Sequence, residues 1–183
     1  MLDMFKPLLT HQYEAALSML KACVDRCPDI VWDERVASYT FSQVVFHTLY
    51  FTDLYLGPDD EASFRRQPSH LHLAPLFADL PANLEPFEDP TPRSYDKAPL
   101  LTYLEFCRRK VIEVMATETE ETLTATEGFG GDFSRAELHV YNIRHIQHHA
   151  AQLSLRLRLD TNDGVEWVGS GWREAAATPA RPG

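Results

Sequence analysis

The chain has 183 residues, 44% of them apolar and 24% charged, with 17 Lys+Arg against 27 Asp+Glu. That length suits one domain, with a core large enough to need no disulfide or structural metal. The net charge of −10 and a pI near 5.2, with no basic run longer than Arg108-Arg109-Lys110, argue against a nucleic-acid partner. No stretch approaches the ~18 apolar residues of a membrane span. The start, Met1 to Pro7, lacks the basic-then-apolar layout of a signal peptide. Three cysteines do not make a disulfide framework, so a cytoplasmic protein is expected.

Glycine and proline divide the chain. Only Gly57 of the eight glycines lies in the first 127 residues, and eight of the twelve prolines fall from Gly57 through Pro99. The first segment, about Leu2 to Cys27, repeats apolar residues with a helical period (Phe5, Leu8, Leu9, Tyr13, Ala16, Leu20, Val24) and stops at Pro28. The second opens on Thr40-Phe-Ser-Gln43, which reads as a capping box, and ends at Gly57 as a C′ glycine. The third runs from about Pro99 to about Thr122, with the stripe Leu100, Leu104, Cys107, Val111, Val114 and Met115. The fourth opens on Ser134-Arg-Ala-Glu137, again a capping box, and continues to about Leu159.

No sustained alternation bounded by hairpin turns is present, so no substantial sheet is expected. The reading is all-α: a four-helix bundle over residues 1–160, with a long irregular crossover between helices two and three. A connection of that length often covers a functional opening. Residues 161–183 form a tail whose Trp167 and Trp172 suggest packing back on the bundle, with Ala175 to Gly183 disordered.

The fourth helix carries the sharpest chemical signal. Asn142, His145, His149 and Gln152 follow a 3-4-3 spacing and form one polar stripe, flanked by Leu138, Tyr141, Ile146, Ala150 and Leu153. In a bundle such a stripe turns inward, which costs free energy unless its members are paired or bind something. Two imidazoles at i and i+4 reach one metal ion, the spacing used by helical zinc sites. A third ligand must come from elsewhere, and helix two offers His47 in the row Val44, His47, Phe51, Leu54. A lone histidine on an apolar face is more often a hydrogen-bonded core residue than a ligand. Opposite two inward histidines the balance moves toward ligation.

His148 shares a face with Arg144 and Leu155 and reads as surface, or as support for a ligand. His70 and His72, in the crossover, read as solvated, while His139 has no partner spacing and His11 could line the pocket. Cys23 and Cys27 are also at i,i+4, but they lie on the core stripe of helix one and read as packing.

The helix-two element Phe41-Ser-Gln-Val-Val-Phe-His47 and the last-helix run His145-Ile-Gln-His148-His149-Ala-Ala-Gln152 resemble the DinB/YfiT-like superfamily of metal-dependent proteins, over about residues 1–160. The resemblance implies one divalent ion, nickel or zinc, held by His47, His145 and His149, and a homodimer. It implies relatives that transfer low-molecular-weight thiols or hydrolyse small molecules. The expected function is therefore a metal-dependent enzyme that activates water or a thiol toward a small electrophilic substrate. Asn142, Gln152, Tyr141 and His148 would orient ligands, touch substrate or move protons. Two alternatives stand beside it: a metal-binding or interaction domain without turnover, and a bundle whose histidines are satisfied core groups.

Overall fold

In the computed structural model, residues 2–57, 64, 68–77, 94–126 and 133–174 are described. The fold is an all-α bundle of four long helices: α1 (Leu2–Arg26), α3 (Phe41–Tyr55), α5 (Lys97–Thr117) and α7 (Arg135–Thr161). Short helices α2 (Asp29–Trp32), α4 (Ala74–Phe77) and α6 (Glu120–Thr124) lie between them, with a 3-10 turn at Pro68–Leu73. α1 and α3 each pack on both α5 and α7, so each of these pairs occupies a diagonal of the bundle. Among the described residues no helix is long and apolar enough to cross a membrane.

The caps set the helix boundaries. Thr40 accepts from the Gln43 backbone N–H while the Gln43 side chain accepts from Thr40, and Ser134 and Glu137 do the same for α7. Each box satisfies N–H groups that a helix start leaves without partners. Gly57 follows α3 as its C′ residue and donates to the Leu54 carbonyl, but without a left-handed backbone. Asn162 takes that conformation instead, with φ 57°, at the end of α7.

The third helix ends before the expected limit of about Thr122. α5 ends at Thr117, Glu118 turns extended, and a new capping box between Thr119 and Thr122 starts α6. The threonines there bond their own backbone in preference to continuing the helix. The break turns Glu118 inward, where Oε1 accepts from Arg135 Nε (2.9 Å) and His139 Nε2 (3.2 Å). Thr122 Oγ1 donates to its other oxygen, and Tyr13 donates to His139 Nδ1 at 3.1 Å. His139, read from sequence as lacking a partner, is thus a buried link between α1, α7 and the α5–α6 corner.

Crossover histidine 70 likewise departs from the solvated reading. It is buried, stacks on Phe77 (centroids 4.6 Å apart), and donates through Nε2 to Asp53 Oδ2 at 2.7 Å. Asp53, the one charged residue of α3, also accepts from Tyr103 (2.9 Å) and from Lys110 Nζ (2.5 Å). His72 is exposed. The rest of the crossover's sequence expectation, and the disorder expected for Ala175 to Gly183, lie outside the described residues.

A two-residue hairpin precedes α3. β1 (Arg35–Val36) pairs antiparallel with β2 (Tyr39–Thr40), and Ala37 in its turn has φ 60°. The tail lies along α1 and α7: Val165 and Val168 are buried, and the Gly171 and Arg173 N–H groups donate to His11 O and Ser18 Oγ. Trp172 stacks under Arg108, whereas Trp167 is exposed.

Asp53 is fully buried, so removing its carboxylate takes an acceptor from Lys110, Tyr103 and His70 at once. Asp53→Ala should lower unfolding free energy by about 3–5 kcal/mol. Asp53→Asn, which keeps the shape and an acceptor oxygen, should lose less, measured by urea denaturation of both variants.

Candidate metal centre

Helix α3 supplies one imidazole and α7 two. His47 sits one turn after Val44 and one before Phe51 on the face that meets α7. His145 and His149 stand one turn apart on α7, directly opposite. Their rings gather with centroids 5.1 Å (His47–His145), 4.8 Å (His47–His149) and 4.6 Å (His145–His149) apart. One nitrogen from each lies within 4.8 Å of the other two. His47 Nε2 and His145 Nε2 are 3.2 Å apart, close to the separation of two nitrogens each ~2.1 Å from one ion at a near-tetrahedral angle.

Burial governs the charge of these rings. Burial first, then the neighbouring imidazoles, pushes His47 down to about 2 and His145 down to about 3. His149 is lowered mainly by burial, partly opposed by its hydrogen bond to Gln152. All three are neutral at physiological pH and can offer a lone pair. His149 Nδ1 lies 2.8 Å from Gln152 Oε1. When Nδ1 donates there, Nε2 is left as the ligating atom. The Nδ1 of His145 is buried without a hydrogen-bond partner among the described residues. The donor set therefore fits a divalent ion that favours imidazole, such as zinc or nickel. No carboxylate belongs to it among the described residues.

Other sequence-predicted residues divide by position. Gln152 supports His149 and donates to His148 Nε2 at 3.1 Å, and His148 itself is exposed. Tyr141 is on the rim, its ring against Tyr55 (5.5 Å), lining a surface cleft with Arg144 and His145. Asn142 is fully buried and donates to the Thr52 carbonyl at 3.1 Å, so it braces α7 against α3 and is out of substrate reach. His11 is exposed on α1 and is not a member of the histidine cluster. Cys23 and Cys27 are buried in the core, burial pushing both thiols up to about 12, in keeping with packing.

Beside His149 opens a cleft of about 460 Å³, between the β1–β2 hairpin, the start of α3 and α7. Sequence reasoning missed this wall, because a hairpin of two-residue strands leaves no period to detect. Arg156, on the same face of α7 as His149 and Gln152, was the available signal.

A family model of the DinB superfamily matches residues 12–153. A crystal structure described as that of a conserved protein from Enterococcus faecalis is similar, with a TM-score of 0.68 at 18% identity, covering 85% of this chain and 96% of that one. At that identity the likeness concerns the fold. No curated protein matches the chain.

The histidine shifts carry a sign. The unfolded chain binds protons below about pH 6.5 that the folded His47 and His145 refuse. Stability of metal-free protein should therefore fall as pH drops from 6.5 toward 3, by up to about 1.4 kcal/mol per pH unit for each group. Denaturant titrations from pH 7.5 to 4 should show a flatter profile for His47→Gln/His145→Gln than for wild type.

Proposed function

The chain belongs to the DinB superfamily, and from that premise and the imidazole cluster we propose a metal-dependent enzyme acting on a small electrophilic substrate. The observation that carries the reading is the meeting of three neutral imidazoles from two helices beside an open cleft. His47, His145 and His149 would hold one divalent ion, nickel or zinc. Such an ion supplies Lewis acidity, lowering the pKa of a water or low-molecular-weight thiol bound to it.

The protein's own groups do the rest. Gln152 holds His149 in one tautomer and orientation. Phe51 and Tyr55 pack against the His145 ring and keep the inner side of the centre apolar. His148, exposed and bonded to Gln152, supports the side chain that fixes His149. The triad has no carboxylate among the described residues to serve as general base. That favours a thiol, which is closer to its thiolate at neutral pH, over water as the nucleophile.

Elemental analysis of protein purified without an affinity tag should find about one divalent ion per chain in wild type and none in His149→Ala. Both being empty would overturn the reading. Loaded wild type should also consume a small thiol in the presence of an alkylating electrophile well above the buffer rate, and His149→Ala should not. Metal binding with no such turnover, for thiol or for hydrolysis of ester and amide probes, would leave a binding domain. The core is built of apolar side chains that need no ion, so chelated protein should keep its helical circular dichroism and a cooperative melt. Restoring the ion at 100 times its Kd should add about 2.7 kcal/mol.

A further inference from the structure

The cleft beside His149 has a second chemical feature, a cation at its far end. His149, Gln152 and Arg156 succeed one another along α7 and all line it. At the helical rise, Arg156 stands about 10 Å along the axis from His149. Between them the walls are mostly apolar, with Val36 from the hairpin, Val44 from α3 and Leu155 from α7, beside the polar Ser38, Tyr39 and Gln152.

Arg156 is fixed in place. Its Nε donates to Asp160 Oδ2 at 2.5 Å and its Nη1 to the Arg35 carbonyl at 2.9 Å. Its Nη2 makes no hydrogen bond among the described residues. The Asp160 carboxylate therefore engages Nε and leaves donors of the guanidinium for another acceptor. A guanidinium with donors to spare at the end of a mostly apolar cleft is a receptor for a planar anion. Its presence does not follow from a generally basic surface, since the chain carries a net charge of −10.

We propose that the cleft binds elongated apolar carboxylates, with the carboxylate on Arg156 and the opposite end of the molecule at His149. As a statement about substrate it rests on the metal-centre reading, which makes the His149 end the reacting end. As a statement about binding it needs no ion. The substrate class is then a small acid with an apolar body and an electrophilic group remote from its carboxylate. A cleft of about 460 Å³ falls within the range of pockets that enclose molecules of this kind.

The test uses metal-free full-length protein, with 5-phenylpentanoate and its neutral amide as probes, followed by calorimetry and by NMR shifts. The acid should bind at least ten-fold more tightly than the amide. Arg156→Gln should abolish that preference, the acid then binding no more tightly than the amide. Because Arg156 also ties down the hairpin, Asp160→Asn provides an independent arm. Removing the competing carboxylate should strengthen acid binding several-fold. Equal affinities for acid and amide in wild type, or no change in their ratio in Asp160→Asn, would overturn the proposal. So would acid binding that requires added zinc, since the carboxylate would then sit on the metal. Failure of the chain to take up any metal would defeat the metal-centre reading alone and leave the acid preference standing.

Discussion

The contact between α3 and α7 is the constraint on which the rest of the structure depends. It brings His47 against His145 and His149 at the margin of an apolar core, with 3.2 Å between the first two Nε2 atoms. Rotating either helix by one residue, about 100°, would carry its imidazole away from the others. The same interface explains why the rings are neutral, since the burial that brings them together disfavours their charged forms. Neutral rings retain the lone pairs that a metal requires. Packing and chemistry are thus one consequence of a single helix register.

Two buried carboxylates reinforce that register from other sides of the bundle. Asp53 gathers donors from α5 and the crossover onto α3, while Glu118 gathers Arg135 and His139 of α7 onto the corner after α5. Arg135 also donates to the Tyr55 carbonyl at the end of α3, and Asn142 to Thr52 one turn earlier. Sliding a helix by one residue, a rise of about 1.5 Å, would break several of these bonds at once. A buried ion pair is weak evidence for stability in itself. What these networks add is directional: apolar side chains tolerate small slips, and hydrogen bonds to a carboxylate do not.

The sequence made local features legible and left tertiary ones obscure. The helical period and capping boxes lie within a few residues of each other, so α1, α3 and α7 could be placed closely from the chain alone. The 3-4-3 row on α7 was visible for the same reason, and its pairing with His47 followed from both rows being core-facing. His70 and His139 were misjudged because their partners, Asp53 and Glu118, lie 17 and 21 residues away. No local spacing encodes those contacts. The break at Glu118 was missed because the third helix was read on to about Thr122, beyond Met115, the last member of its stripe, and across the Thr119–Thr122 cap. Asn142 belonged to the right stripe but lies deeper than the histidines, a difference of depth that periodicity cannot express.

Charge links the candidate centre to its cleft. The chain is acidic overall, yet the cleft runs from the uncharged His149, the member of the triad that lines it, to a guanidinium. A divalent ion on that triad would keep its full charge, so both ends of the cleft would be cationic inside an anionic protein. At physiological ionic strength charges are screened over about 8 Å. The net charge of the surface is therefore felt weakly within the cleft, where Arg156 is close and partly shielded from solvent. An acid would meet little long-range attraction and a strong local one. Recognition of that kind resides in the dissociation rate, and depends on the hairpin that holds Arg156 through the Arg35 carbonyl. The hairpin turn keeps Ala37 in a left-handed conformation that glycine would occupy without strain. The backbone that positions the anion-binding group is held by packing on both α3 and α7, and α7 carries His149 and Arg156 at the two ends of the cleft.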